Sequence, residues 1–352
     1  MKSVGQFACD EIGEFVGEGA RKIIFNSESK PPESYRGIVY EELRGKNFSS
    51  LTSSDVEVLR NSIKGKKKDE TQLLKLIIER TNENRRKLMS SYNSIYNSDL
   101  IEDLKKELSG DFEDAVLPLF YDPIDYDCME LKKAMKGLGT YEGTLKEIIT
   151  NRDNSVIRQI KERYPIVNSG SDLIKKVKDD TSGNFKNTLV ALLEESREED
   201  ITSSKPENEK YARKLYENVK EATFLEIFTQ RSQADFIEIN NIYYEIAGKT
   251  LLDTVQNKFQ GDFKNVLVGI YFAMVNPAQY FAKRIHDSIY GLGTYENTLI
   301  RVIVTRNEKD LYLIREVYKL MYDADMVEDI KDDTSGNFRV LLVSLVLGEY
   351  TK

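Results

Sequence analysis

The chain has 352 residues, 40% hydrophobic and 31% charged, the composition of a folded globular protein and not of a disordered or collagen-like one. Its 51 basic against 59 acidic residues leave a net charge of -8, which argues against broad electrostatic capture of nucleic acid. One histidine, His286, and two cysteines, Cys9 and Cys128, are too few for a zinc cluster, a disulfide framework or most catalytic triads, so no enzyme is predicted and the thiols read as free, in the cytoplasm.

Residues 1–51 form a separate N-terminal segment. Its opening, Met1, Lys2, Ser3, carries neither the apolar core of a secretory leader nor a glycine for myristoylation. Gly13, Gly17 and Gly19 do not complete a GxGxxG fingerprint, and no nucleotide site follows. Further on, the longest strongly apolar uncharged run, residues 266–275, falls far short of the ~20 residues that span a bilayer. Any membrane contact is therefore expected to be peripheral.

From residue 52 onward the chain repeats itself. Residues 137–142 and 291–296 both read GLGTYE, and residues 178–185 and 331–338 both read KDDTSGNF. Weaker copies of the second motif, around Phe112 and Phe263, make four units, with the phenylalanines Phe112, Phe185, Phe263 and Phe338 spaced by 73, 78 and 75 residues. Arg80, Arg152, Arg231 and Arg306 keep nearly the same step, 72, 79 and 75. The repeats are placed at 52–123, 124–206, 207–276 and 277–352, with prolines 118, 123, 206 and 277 at the seams. Apolar residues at helical spacing, such as Leu73, Leu74, Ile77 and Ile78, or Leu145, Ile148 and Ile149, predict an all-α fold.

Within repeat 1, Lys64, Gly65, Lys66, Lys67 and Lys68 replace the glycine loop, while Glu107 keeps an acid 42 residues after Gly65. Repeat 2 has GLGT with 39 residues between Thr140 and Asp180, and repeat 4 has GLGT with 38 residues between Thr294 and Asp333. Glycines between two helical stretches permit backbone angles that turn several carbonyls toward one point. Thr140 and Thr294 then start the next helix. Such carbonyls with one carboxylate suit a hard cation, above all Ca2+. The competing reading is a plain helix stop and start, with Asp180 and Asp333 only charging a helix end. Repeat 3 loses both halves, with Tyr216 and Asn218 at the glycine positions and Lys258 at that of the acid, and no ion site is predicted there. His286 reads as a surface helix residue.

This pattern of four units, with glycine loops and distant acids in register over residues 52–349, resembles the annexin family, including divergent protist annexins of the alpha-giardin type. The resemblance implies a curved disc of four five-helix repeats. It also implies calcium-dependent, reversible binding to acidic phospholipid at the cytoplasmic, inner face of membranes. Carried onto this chain, the metal ligands would be the carbonyls of Met135, Gly137 and Gly139 with Asp180, and those of Ile289, Gly291 and Gly293 with Asp333. A weaker set would be Ile63, Gly65, Lys67 and Glu107. The one-residue excess in repeat 2 is assigned to the loop between Pro165 and Ser171; failing that, Asp179 would replace Asp180. Leu138 and Leu292 would touch the membrane or pack on their own helices, and Lys66, Lys67 and Lys68 would meet anionic headgroups without calcium. The four arginines are assigned to anchoring, through bonds to loop carbonyls. The alternative function is a helical scaffold for cytoskeleton or another protein partner, with vestigial calcium sites.

Overall fold

A computed structural model describes residues 53–64, 69–137, 139–199, 204–291 and 293–351. The N-terminal segment and the candidate residues Gly65, Lys66, Lys67, Lys68, Leu138 and Leu292 lie outside the described residues. Among the described residues the structure is all-helical, with twenty α-helices and no strand, five helices to each repeat.

Repeat 1 comprises α1 (Ser53–Lys64), α2 (Glu70–Ile78), α3 (Asn82–Tyr96), α4 (Leu100–Glu107) and α5 (Gly110–Val116), followed by a 3-10 turn, Leu117–Phe120. Repeat 2 comprises α6 (Pro123–Ala134), α7 (Glu142–Thr150), α8 (Asn154–Val167), α9 (Leu173–Asp180) and α10 (Gly183–Leu193). Repeat 3 has α11 (Lys205–Glu217), α12 (Glu221–Gln230), α13 (Gln233–Ala247), α14 (Leu251–Lys258) and α15 (Gly261–Val275). Repeat 4 has α16 (Pro277–Ile289), α17 (Glu296–Arg306), α18 (Leu311–Tyr322), α19 (Met326–Asp333) and α20 (Gly336–Leu347).

The fourth helix of every repeat is eight residues long and is started by a side-chain cap. Asp99 accepts from the amides of Ile101 and Glu102, Asp172 from Lys175, Thr250 from Asp253 and Asp325 from Val327. Each cap satisfies an otherwise orphaned amide, worth about 1 kcal/mol. Because both length and start are fixed, the last residues of these helices correspond: Glu107, Asp180, Lys258 and Asp333.

Three residues connect the third and fourth helices in repeats 1, 3 and 4, the first of them left-handed: Asn97, Gly248 and Asp323. In repeat 2 the connection has five residues, Asn168 to Asp172, with Ser169 and Gly170 both at positive φ. The added residue of repeat 2 is absorbed here, although Pro165 itself lies inside α8 and not in the loop.

The described helices gather into two compact units. One runs from Pro123 to Tyr280 and holds repeats 2 and 3 and the first turn of α16. In it α7 and α10 pack on α15, and α10 packs on α12. Its core includes an aromatic chain in which Phe224 meets Phe228 and Phe259, Phe228 meets Phe236, and Phe259 meets Phe263, with ring centroids 4.9–5.6 Å apart. The other unit joins repeat 1, up to Asp122, to the chain from Phe281 onward. There α20 packs on α2 and α5, and α17 packs on α5, around buried Leu59, Ile77, Phe120, Ile303 and Leu341. No helix among the described residues is long and apolar enough to cross a membrane.

Candidate metal centre

The first two helices of repeats 1, 2 and 4 are joined by a span closed with one backbone bond. The amide of Tyr141 donates to Ala134 O at 2.9 Å, that of Tyr295 to Ser288 O at 2.7 Å, and that of Asp69 to Ser62 O at 3.2 Å. Each bond spans seven residues, so the three loops share one register. In repeats 2 and 4 the glycines inside the loop have positive φ: 100° at Gly137, 97° at Gly139, 132° at Gly291 and 90° at Gly293. A β-carbon at any of the four would meet no atom within 4 Å, so the backbone conformation, and not space, demands glycine. Met135 and Ile289 have buried side chains, and what they offer a ligand is the main-chain oxygen.

The distant acids reach these loops. Thr140 Oγ1 donates to the carbonyl of Asp180 at 2.9 Å, and Thr294 Oγ1 donates to Asp333 Oδ2 at 2.6 Å. Within each repeat the glycine loop and the acid therefore lie at the same end of the helices. Asp179 is exposed and one residue short of the helix end, so it is Asp180 that the loop meets.

Asp180 Oδ2 is buried and without a hydrogen-bond partner. An orphaned carboxylate oxygen costs about 1–3 kcal/mol or more unless a proton or a cation answers it. Among the described residues no group of three or more His, Cys, Asp or Glu side chains could hold a metal, so an ion here would draw on main-chain oxygens and a single carboxylate. Such an all-oxygen donor set fits a hard cation such as calcium.

Repeat 1 keeps the closing bond but changes its chemistry. Ile63 is buried, Lys64 Nζ lies 2.6 Å from Asp103, and Asp69 caps α2 by accepting from Gln72 N. Burial alone would raise the Asp103 carboxyl, but hydrogen bonds from Lys64, Ser98 and Tyr92 outweigh it and hold it at about 2. Glu107 is half-buried at the end of α4 and already engaged. Repeat 3 has no loop of this kind: α11 runs on through Tyr216 to Glu217, and only Asn218, Val219 and Lys220 precede α12.

Two further expectations change. The repeated arginines bond mainly acids, not loop carbonyls. Arg152 makes a two-pronged pair with Asp127 at 2.8 and 2.9 Å, and Arg80 bonds Asp55 at 2.9 Å. Arg231 pairs with Glu198 and Arg306 with Asp310, because repeats 3 and 4 lack the first-helix aspartate. Carbonyls are gathered instead by Arg85, which sequence reading passed over: it is buried and donates to Leu119 O, Ile77 O and Arg80 O. His286 is not a plain surface residue either, since its ring stacks on Tyr322 at 3.8 Å and on Tyr290 at 4.8 Å. A further landmark also escaped notice. Buried Tyr92, Tyr164, Tyr243 and Tyr318 keep the step of 72, 79 and 75, and Tyr92 and Tyr318 donate to Asp103 and Asp329 on the fourth helix.

The annexin family profile matches residues 54–119, 126–192, 212–270 and 280–345. Human annexin A11 is 34% identical over 300 residues, 84% of this chain and 59% of its own length. Chicken annexin A6 is 36% identical over 322 residues, 90% of this chain and 47% of its own. The chain thus spans about half to three-fifths of the length of these relatives. Among solved structures, annexin III superposes with a TM-score of 0.82 at 31% identity, covering 87% of this chain and 97% of its own. Calcium-bound annexin (Sm)1 superposes with 0.77 at 28%, covering 87% and 94%. Calcium-bound alpha-14 giardin, at 22% identity over 84% of this chain and 99% of its own, shares the fold with a TM-score of 0.73. The chain belongs to the annexin family.

Proposed function

We propose that this annexin attaches reversibly to acidic phospholipid surfaces when calcium fills the loops of repeats 2 and 4. Met135, Gly137 and Gly139 would supply carbonyls with Asp180, and Ile289, Gly291 and Gly293 would do so with Asp333. The observation that carries the reading is the buried, unpartnered Asp180 Oδ2 at a loop whose glycines have positive φ. A site with one carboxylate is weakly charged, so calcium alone should bind in the ~10⁻⁴–10⁻³ M class. A lipid phosphate completing the coordination tightens it, and by linkage calcium tightens lipid binding by the same factor. The protein would then sit peripherally, at the cytoplasmic face of a membrane. The lysines of the repeat 1 loop add a calcium-independent attraction of at most about 1 kcal/mol each.

The test is co-sedimentation with phosphatidylserine vesicles over a calcium titration, comparing the native protein with the Asp180→Asn, Asp333→Asn double variant. Calcium-dependent pelleting lost in the double variant supports the reading. Pelleting without calcium shifts the weight to the repeat 1 lysines. No pelleting favours the second reading, a scaffold for cytoskeletal or other protein partners, whose motivating observation is that repeat 3 has no loop and repeat 1 keeps only one of the two GLGT glycines, Gly65.

A further inference from the structure

The loops of repeats 2 and 4 share a backbone course and differ in what surrounds it. With the closing bonds of Tyr141 and Tyr295 aligned, Lys132, Lys133 and Lys136 of repeat 2 fall on His286, Asp287 and Tyr290 of repeat 4. Lys132 and Lys136 are exposed beside the repeat 2 loop. At the repeat 4 loop Tyr290, 75% exposed, stands before Gly291 where repeat 2 has Lys136, while Tyr295, 61% exposed, has its counterpart in Tyr141 of repeat 2, 70% exposed. Asp287 is taken up by Lys283 at 2.8 Å, so those two charges cancel.

Tyr290 is held from behind. Its ring lies nearly parallel to that of His286, at 19°, and His286 in turn lies at 6° on Tyr322, which abuts buried Tyr318 at 4.9 Å. The stack fixes an aromatic ring in solvent, where it gains little from burial. An already immobilised side chain loses little entropy when something covers it. Tyrosine, with an apolar ring and a polar tip, matches the headgroup zone of a bilayer irrespective of lipid charge. Lysines gain from an anionic surface only, about fivefold in affinity per lysine, and lose that gain in salt.

We propose that the two loops read different properties of a membrane: repeat 2 senses anionic charge through Lys132 and Lys136, and repeat 4 adds an anchor in the interfacial zone through Tyr290. The inference rests on the calcium-dependent attachment proposed above, and it makes part of the affinity independent of lipid charge.

The experiment uses the full chain at saturating calcium, with phosphatidylcholine vesicles whose phosphatidylserine fraction is raised stepwise. The K132Q/K136Q variant should lose affinity increasingly as phosphatidylserine rises, to about 25-fold, and lose nothing in high salt. The Y290S variant should lose about 3-fold at every phosphatidylserine fraction and every salt concentration. Because the chain contains no tryptophan, Tyr290→Trp supplies a single reporter. Its emission should shift to the blue on binding and be quenched by brominated acyl chains. Unchanged emission in the bound state, a tyrosine variant that binds like the native protein, or a tyrosine effect that scales with phosphatidylserine would each overturn the inference. Native protein that binds none of the calcium-loaded vesicles would remove the attachment reading as well.

Discussion

The hydroxyl of Thr140 donates to the main-chain oxygen of Asp180, 2.9 Å away and 40 residues later in the chain. This bond joins the glycine loop to the end of α9, so the loop and the orphaned Oδ2 lie at the same end of the repeat. Thr140→Val keeps the shape and removes the donor. Calcium affinity of repeat 2 should fall several-fold, while thermal stability changes by only about 1 kcal/mol, the worth of one hydrogen bond. Calorimetric calcium titration alongside thermal unfolding checks both; an unchanged calcium isotherm would show that the tether does not position the acid.

Gly137 and Gly291 separate conformation from space. Neither has an atom within 4 Å of where a β-carbon would stand, yet φ is 100° and 132°. Gly137→Ala should therefore cost about 1–2 kcal/mol of loop conformation without any clash. The loop relaxes rather than the core, so calcium-dependent pelleting should weaken while the unfolding midpoint stays close to native.

Arg152 and Asp127 are both almost wholly buried, at 7% and 4% exposure, and meet through two bonds. Asp127→Ala leaves a buried guanidinium without its acid and should destabilise the protein by about 3–5 kcal/mol. Replacing both, with Arg152→Met and Asp127→Leu, should recover most of that loss. Denaturant unfolding of the two single variants and the double variant measures the coupling, and an additive double variant would deny the pair its role.

The four-fold repeat was legible because two long motifs recur almost unchanged, and the pairing of loop with acid was legible because both recur at matched spacing in repeats 2 and 4. The arginine partners were harder to read. Asp55 and Asp127 sit in step with Arg80 and Arg152, but Glu198 and Asp310 approach Arg231 and Arg306 from unrelated positions. The surroundings of His286 depend on Tyr322, 36 residues downstream on another helix, which no local pattern announces. The missing loop of repeat 3 did leave a trace. The step from proline to arginine is 29 residues for Pro123 to Arg152 and Pro277 to Arg306, but 25 for Pro206 to Arg231, and the four missing residues are the loop.

The Asp103 cluster gives a pH dependence. Despite burial, its hydrogen bonds from Lys64, Ser98 and Tyr92 hold the carboxyl at about 2, below the ~3.9 of an unfolded aspartate. A depressed carboxyl contributes stability that is complete above the unfolded value and is lost as pH falls through the folded one. The difference in stability between the native protein and Asp103→Asn should be constant above about pH 4 and should shrink between about pH 4 and 2. Thermal melts of both proteins across that range provide the measurement, and a gap that does not narrow would place the contribution elsewhere.

Repeat 3 tests whether loop and acid suffice for an ion site. Lys258 ends α14 as Asp180 ends α9, and Asn218, Val219 and Lys220 stand where repeat 2 has the seven residues from Met135 to Tyr141. Tyr216, half exposed near the end of α11 and edge-on to Tyr243 at 6.5 Å, leaves the helix end at the surface, so a longer loop would extend into solvent. Replacing residues 218–220 by the sequence of residues 135–141, together with Lys258→Asp, supplies both the carbonyls and the carboxylate. Calcium stoichiometry by calorimetry should rise by one relative to the native protein. The loop graft alone should add no site, because a lysine at the helix end opposes a dication. A third ion bound without Lys258→Asp would mean that the carbonyls suffice, and would weaken the role given to Asp180 and Asp333.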